Sequence, residues 1–492
     1  MLATFLGRLP YYMAMKMQSI RNHHSERSTA SSNNNRLLIC CQAALFSLWQ
    51  RLRQFFIDST QIWIVTTILA VLIGVGIRVW LIMTNPVWSD EMYSIWAVDH
   101  SWQAILSGSV DVVHPPLYYL FLKAWMLLSD QLQWLRLSSL LASLGSMVCI
   151  YKLGQHESPD RDHRDLGQWW LMAYALSGFH LVFDWSVRMY ALVTFLSLFT
   201  LLAVRKNWSP LLLALLVSCG LLLDYAYFWS LIPMWLLGFW QAWSDGHRKK
   251  VSTLIGLTIG TLPFMAWQIW RLPYFQAGLN GILWMNDLLY PSFFLPFFLG
   301  THTSLWLTIS TICYILGLLW LQRHKLNRYL LVWWIMGFAL LLVESTYIFS
   351  LIKQPLLHVR SLQIVGLSVT LLWGIALTEP KFRWLGLGIL CMTAIAVPHL
   401  FQHNALALLT EFYPWNVSKK VIISQYKQGD TLYISADPKS PSPLLYTGLL
   451  YSLDGKEVMG DAPTPYVIGT PPDSQTNCKK IWNVYAVVEL CQ

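Results

Sequence analysis

Charge is scarce in this chain. Only 12% of its 492 residues are Asp, Glu, Lys or Arg, against 55% hydrophobic ones, and the mean hydropathy is +0.45. Soluble globular proteins carry about 25% charged residues. Half that supply cannot cover the surface of a compact chain this long, so a set of soluble domains is excluded. Disorder, a coiled coil and a collagen-like fibre are excluded by the same composition. Cysteine is sparse as well: the eight thiols show no metal-ligand spacing. Residues 402–492 carry no nucleotide-binding glycine loop, and residues 1–60 do not read as a cleavable signal peptide ahead of the first long apolar run at Gln61.

What remains is a polytopic membrane protein. Apolar runs fall at 61–83, 135–153, 168–183, 188–204, 209–224, 226–243, 251–270, 303–321, 329–348, 361–378 and 384–401. Several are shorter than the roughly 20 residues that cross a 30 Å hydrocarbon core, so their polar ends must enter the headgroups. The 27 Trp and 22 Tyr suit the two membrane–water interfaces. The net charge of +9 reads as basic cytoplasmic loops, not as a nucleic-acid surface.

A further apolar run, 116–129, decides the topology. If it does not span and the N-terminus is cytoplasmic, Arg161/Arg164, Arg205/Lys206, Arg248/Lys249/Lys250, Arg323/Lys325/Arg328 and Lys381/Arg383 all face the cytoplasm. That is the bias expected of inner loops. We therefore expect an interfacial or half-buried helix there, about eleven spans, and an outer C-terminus. Residues 1–60 read as a basic, partly disordered cytoplasmic extension. Residues 402–492 read as a small periplasmic α/β domain, with strands at Val421–Ser424, Thr431–Ser435 and Trp482–Leu490. Cys478 and Cys491 could staple this end of the chain if the segment bends back.

Under this topology Arg78, Asp90, Glu91, His114, Lys123, Asp184, Arg188, Asp224, Arg271, Glu344, Lys353, His358 and Arg360 gather at the outer face. Such residues are costly in a membrane protein and point to a shared polar site. The first outer loop is the richest, with Trp88-Ser89-Asp90-Glu91 and His114-Pro115-Pro116-Leu117-Tyr118-Tyr119. The adjacent carboxylates could be a solvated helix start, or could hold a general base for an acceptor hydroxyl. The prolines keep His114 out of any helix, leaving a rigid loop or a His presented to an anionic ligand.

These segments, with Arg136-Leu137-Ser138-Ser139-Leu140, Arg188-Met189-Tyr190-Ala191-Leu192 and the helix after Arg360, resemble in order the motifs of the GT-C glycosyltransferases that use polyprenyl-phosphate sugars. Protein O-mannosyltransferases and lipid A aminoarabinose transferases belong to that superfamily. The sequence departs where the family has Gln-Glu-Ala: here it reads Trp185-Ser186-Val187, with Asp184 two residues before the acidic position. Tyr225-Ala226-Tyr227 replaces Thr-His-Tyr, with Asp224 just ahead.

The resemblance implies an all-α GT-C membrane domain over 61–401 in a bacterial inner membrane. It also implies inverting transfer of a sugar from a polyprenyl-phosphate donor to a lipid, glycan or protein hydroxyl. Asp90 would be the base and Glu91 its support. His114, Arg188 and Arg360, with Lys123, Asp184 and Asp224, would hold substrate. No cofactor is required by a phosphate leaving group, although Asp90 and Glu91 could also hold a divalent ion. A transporter or flippase of lipid-linked sugars is the alternative, which would place its polar helices near the bilayer midplane.

Overall fold

The computed structural model describes residues 60–85, 89–111, 114–158, 165–245, 248–272 and 363–402, together with a few isolated positions and four strands between 431 and 491. The basic extension, the expected spans at 303–321 and 329–348, and Glu344, Lys353, His358 and Arg360 lie outside the described residues.

The described chain is mostly helical. A long helix α1 (Thr60–Thr84) leads into α2 (Ser89–Val98), α3 (Trp102–Ser107) and α4 (Leu117–Met126). Then come α5 (Leu132–Glu157), α6 (Asp165–Leu176), α7 (Gly178–Phe183) and α8 (Tyr190–Arg205). The next helices are α9 (Pro210–Leu223), α10 (Ala226–Asp245), α11 (Arg248–Ile259) and α12 (Leu262–Trp270), followed by α13 (Gln363–Leu377) and α14 (Arg383–Gln402).

Among the described residues, Gln61–Thr84, Leu132–Glu157 and Val251–Trp270 are long and apolar enough to cross a membrane. Tyr190–Arg205, Pro210–Leu223, Ala226–Phe239, Gln363–Leu377 and Arg383–Pro398 are shorter apolar helices. At 1.5 Å per residue the 14 residues of α9 cover about 21 Å, so their polar ends must supply the rest. The ends are built for it: Ser209 Oγ accepts from Leu212 N at 3.3 Å and Pro210 opens the helix, the position where a missing N–H costs nothing.

The apolar run 168–183 is not one helix. It breaks at Ser177, which has extended backbone between α6 and α7. The 251–270 run likewise divides between α11 and α12, around Gly260 and Thr261. Helix α4 is 10 residues, about 15 Å, too short to span.

Packing explains the layering. Helix α5 lies inside the bundle against α6 and α8, and its buried serines 138, 139, 143 and 146 let neighbours approach closely. Helix α1 presents Ile64, Val65, Ile68, Leu69 and Leu72 outward, the face a lipid-exposed helix shows. On its other side Gly74 meets the Ala175 carbonyl so closely that no Cβ would fit. Trp170 Nε1 donates to Leu371 O at 3.1 Å and ties α6 to α13. At one end of the bundle Arg205 joins Glu157 at 2.5 and 3.0 Å, closing α8 onto α5.

The C-terminal strands β1 (Thr431–Ala436), β2 (Val467–Ile468), β3 (Cys478–Val484) and β4 (Ala486–Cys491) form one sheet in the order β2-β1-β4-β3. The β1–β2 pair is parallel and the others are antiparallel. Two expectations are corrected here. Ile422 and Ser424 are helical, not strand. The segment Trp482–Leu490 is not one strand but parts of two paired antiparallel ones, β3 and β4, so Cys478 stands opposite Cys491. Cys478 is disulfide-bonded.

Candidate active site

Adjacent residues on a helix point about 100° apart, so Asp90 and Glu91 in the first turn of α2 face different surroundings. Both sit where the helix dipole favours a carboxylate. Glu91 turns into the protein. Arg136, at the start of α5, donates from Nε to Oε1 at 2.8 Å and from Nη2 to Oε2 at 2.6 Å. Val187 N donates to the same Oε1 at 2.8 Å. Arg136 also reaches the carbonyls of Ile82 and Asn85, so one guanidinium joins α1, α2 and α5. Both oxygens of Glu91 are thus engaged by Arg136, and Oε1 by Val187 N as well. Among the described residues no group of three or more His, Cys, Asp or Glu side chains is gathered as for a metal.

Asp90 turns the other way, and its side chain keeps 17% of its surface exposed. Tyr190 Oη donates to its Oδ2 at 3.2 Å, and Arg188 Nε lies 3.7 Å from the same oxygen. Arg188 Nη1 donates to Ser94 Oγ at 3.0 Å and approaches the Asp90 carbonyl at 3.4 Å. Ser94 is one helical turn after Asp90, so both meet Arg188 on one face. Among the described residues Arg188 Nε has no hydrogen-bond acceptor, although the side chain is almost wholly buried. Burial works against its charge, but Tyr190, Asp90, Tyr119 and Tyr118 raise its pKa further, and it stays a cation.

Beside this pair lies a second acidic group. Asp111 is 3% exposed and accepts from Tyr119 Oη at 2.5 Å, from His114 N at 3.1 Å and at His114 Nδ1 at 2.9 Å. A carboxylate at Nδ1 turns the other ring nitrogen of His114 away from Asp111. Tyr93 of α2 stacks edge-on against Tyr119, 6.4 Å between centroids, and joins the His114 loop to Asp90's helix. Asp224, between α9 and α10, caps α10 by accepting from Ala226 N at 2.6 Å. Burial raises its pKa; His114 and Arg188 oppose the rise and Asp111 adds to it, which places all four groups in one electrostatic neighbourhood.

The structure thus brings Asp90, His114, Arg188 and Asp224 together at one end of the bundle. It sets two sequence candidates apart. Lys123 donates to the Val98 carbonyl at 2.6 Å, at the far end of α2 and about 12 Å along its axis from Asp90. Asp184 is enclosed between α1, α5 and α6, where Arg78 Nη2 (3.3 Å), Ser143 Oγ (2.9 Å) and Tyr174 Oη (2.8 Å) all donate to its Oδ2. The sequence reading missed Asp111, Ser94 and the role of Tyr190. The spacing Asp-x-x-His and the one-turn spacing from Asp90 to Ser94 were the available signals.

The bundle is similar to that of ArnT from Cupriavidus metallidurans in the apo state, with a TM-score of 0.51 over 88% of this chain and 98% of that one. The chain shares the fold of that protein. At 12% identity the likeness to ArnT is one of fold. A second structure of ArnT, bound to undecaprenyl phosphate, gives a TM-score of 0.48 at the same identity and coverage. No protein-family model and no curated protein matches the sequence.

Proposed function

We propose that this protein is an inverting membrane glycosyltransferase of the GT-C type that moves a sugar from a polyprenyl phosphate to an acceptor hydroxyl. The observation that carries the reading is the Asp90–Arg188 contact: a part-exposed carboxylate and an under-bonded buried cation stand 3.7 Å apart. The acceptor oxygen attacks the anomeric carbon, its proton passes to Asp90, and the carbon–oxygen bond to phosphate breaks with its electron pair on the leaving polyprenyl phosphate. Tyr190, bonded to Oδ2, orients the carboxylate. Arg188 stabilises the charge that grows on the phosphate, and its spare Nε and planar fork suit a phosphate oxygen. His114, part-exposed and oriented by Asp111, turns its other ring nitrogen toward the anionic headgroup, where it donates when the ring is protonated.

The site works at the outer face of a bacterial inner membrane, in a chain of eleven spans with the N-terminus inside. Two observations support that orientation. Helix α4 is too short to span, which keeps the basic clusters cytoplasmic. The disulfide at Cys478 suits an oxidising compartment for residues 402–492. The acceptor is a lipid, glycan or protein hydroxyl.

The test is incubation of purified protein with polyprenyl-phosphate sugars in nanodiscs. Release of free polyprenyl phosphate that depends on an acceptor supports transfer. Movement of intact donor across the bilayer without release would mark a flippase instead.

A further inference from the structure

Arg188 lies near the end of the six-residue link, 184–189, that joins α7 to α8 and is almost wholly buried. Such a link has no helical ladder, so other groups must hold it. The Ser186 carbonyl accepts from Ser139 Oγ at 2.5 Å and from Arg188 N at 2.7 Å, which closes a three-residue turn. Val187 N is held by Glu91. Trp185 carries the Arg136 guanidinium over its ring at 4.6 Å. The first residue of the link, Asp184, is held hardest. Its Oδ2 takes Arg78, Ser143 and Tyr174, from three different helices, and its backbone N donates to His180 O at 2.9 Å.

Arg78 is itself fixed in place. Its Nη1 donates to Gly74 O at 3.1 Å and to Ala175 O at 3.0 Å, while Nη2 meets Asp184. Both members of the pair are fully enclosed. A buried ion pair is weak support for stability, because desolvation offsets most of its Coulomb energy. Its effect here is geometric: one carboxylate sets where the link leaves α7, and four residues later Arg188 must reach Asp90 and Ser94.

We propose that Asp184, fixed by Arg78, is a positioning residue that sets the placement of Arg188 through the link 184–189. The inference rests on the reading of Arg188 as the phosphate-binding cation. Asp184 touches no substrate; it acts through the backbone. This also accounts for the sequence departure at Ser186: the carboxylate that anchors the link stands two residues earlier, and its anchoring cation comes from the first helix.

A double-mutant cycle on binding of farnesyl phosphate, a sugar-free polyprenyl phosphate, tests it. Arg188→Ala should weaken binding about tenfold or more, as expected for a lost charge-assisted hydrogen bond. Asp184→Asn keeps the side chain's shape but loses the ion pair, and should weaken binding roughly three- to tenfold. In the Arg188→Ala background, Asp184→Asn should change binding by less than about twofold, because the group it positions is gone. A purely structural Asp184 would lower the unfolding temperature with unchanged binding, or would add its full effect in both backgrounds; either result overturns the inference. If Asp184→Asn does not fold, Tyr174→Phe, which removes one donor from the same carboxylate, enters the cycle with the same expectations. If Arg188→Ala binds normally, the phosphate reading itself fails and the inference falls with it. A weakened Arg188→Ala beside an unaffected Asp184→Asn overturns the inference alone.

Discussion

Glu91 and Arg136 form a two-pronged ion pair across 45 residues, with contacts of 2.8 and 2.6 Å and almost no exposed surface. The pair divides the work of two neighbouring carboxylates. Glu91 fastens α2 to α5 and holds Val187 N, so Asp90 is presented to Tyr190 and Arg188 on a fixed helix. Removing one member of such a pair strands the other charge, at a cost of about 3–5 kcal/mol. Arg136→Ala should therefore lower the unfolding temperature of the purified protein more than any substitution at Asp90. Glu91→Gln, which keeps one acceptor for Val187 N, should fall between them. Thermal unfolding of the three variants checks the order.

Asp224 gives a pH-dependent expectation. Burial raises its pKa, so folding favours the protonated form and the ionised form costs stability. That cost is absent below the ordinary carboxylate pKa and is fully present once pH exceeds the raised value. Asp224→Asn still offers an oxygen to Ala226 N and should melt higher than the parent protein at pH 7. The gap should close as pH falls through the carboxylate range. A gap that widens on acidification would mean that Asp224 is stabilised as an anion.

The compartment of the C-terminal sheet can be read chemically. Protein alkylated before reduction should yield a linked peptide pair containing Cys478 and its ladder partner Cys491. A reporter fused after Gln492 should be active outside, and reporters after Gln155 and Arg323 should be active in the cytoplasm. An outside signal at Gln155 would require residues 116–129 to span after all.

Much of the helical layout was legible because apolar runs in a membrane chain have few other readings. The run 61–83 and helix Thr60–Thr84 differ by one residue at each end. Breaks were harder: Ser177 lies inside Ala-Leu-Ser-Gly-Phe, a stretch apolar enough to read straight through. The sequence Val484-Tyr485-Ala486 between β3 and β4 has no Gly, Pro, Asn or Asp, so the two strands read as one. In the site, residue types were legible and partners were not. Asp90 and Glu91 look alike in sequence, and only Arg136, 45 residues on, separates an anchor from a reactive group. Asp184 reads as a site residue until Arg78, 106 residues away, is seen to close on it. Such pairings are decided by helix packing across the bundle, which no local spacing records.

The assignment of Asp90 as the base is the centre of the reading, and one substitution addresses it. Asn has nearly the shape of Asp and can still accept from Tyr190, but it cannot take a proton. Turnover of lipid-linked sugar by purified Asp90→Asn, measured beside farnesyl phosphate binding, is the decisive comparison. Transfer should fall by about 10²–10⁴, as expected for loss of a general base, while binding and the unfolding temperature stay close to the parent values. Near-normal transfer by Asp90→Asn would contradict the assignment and leave the proton with another group at this end of the bundle.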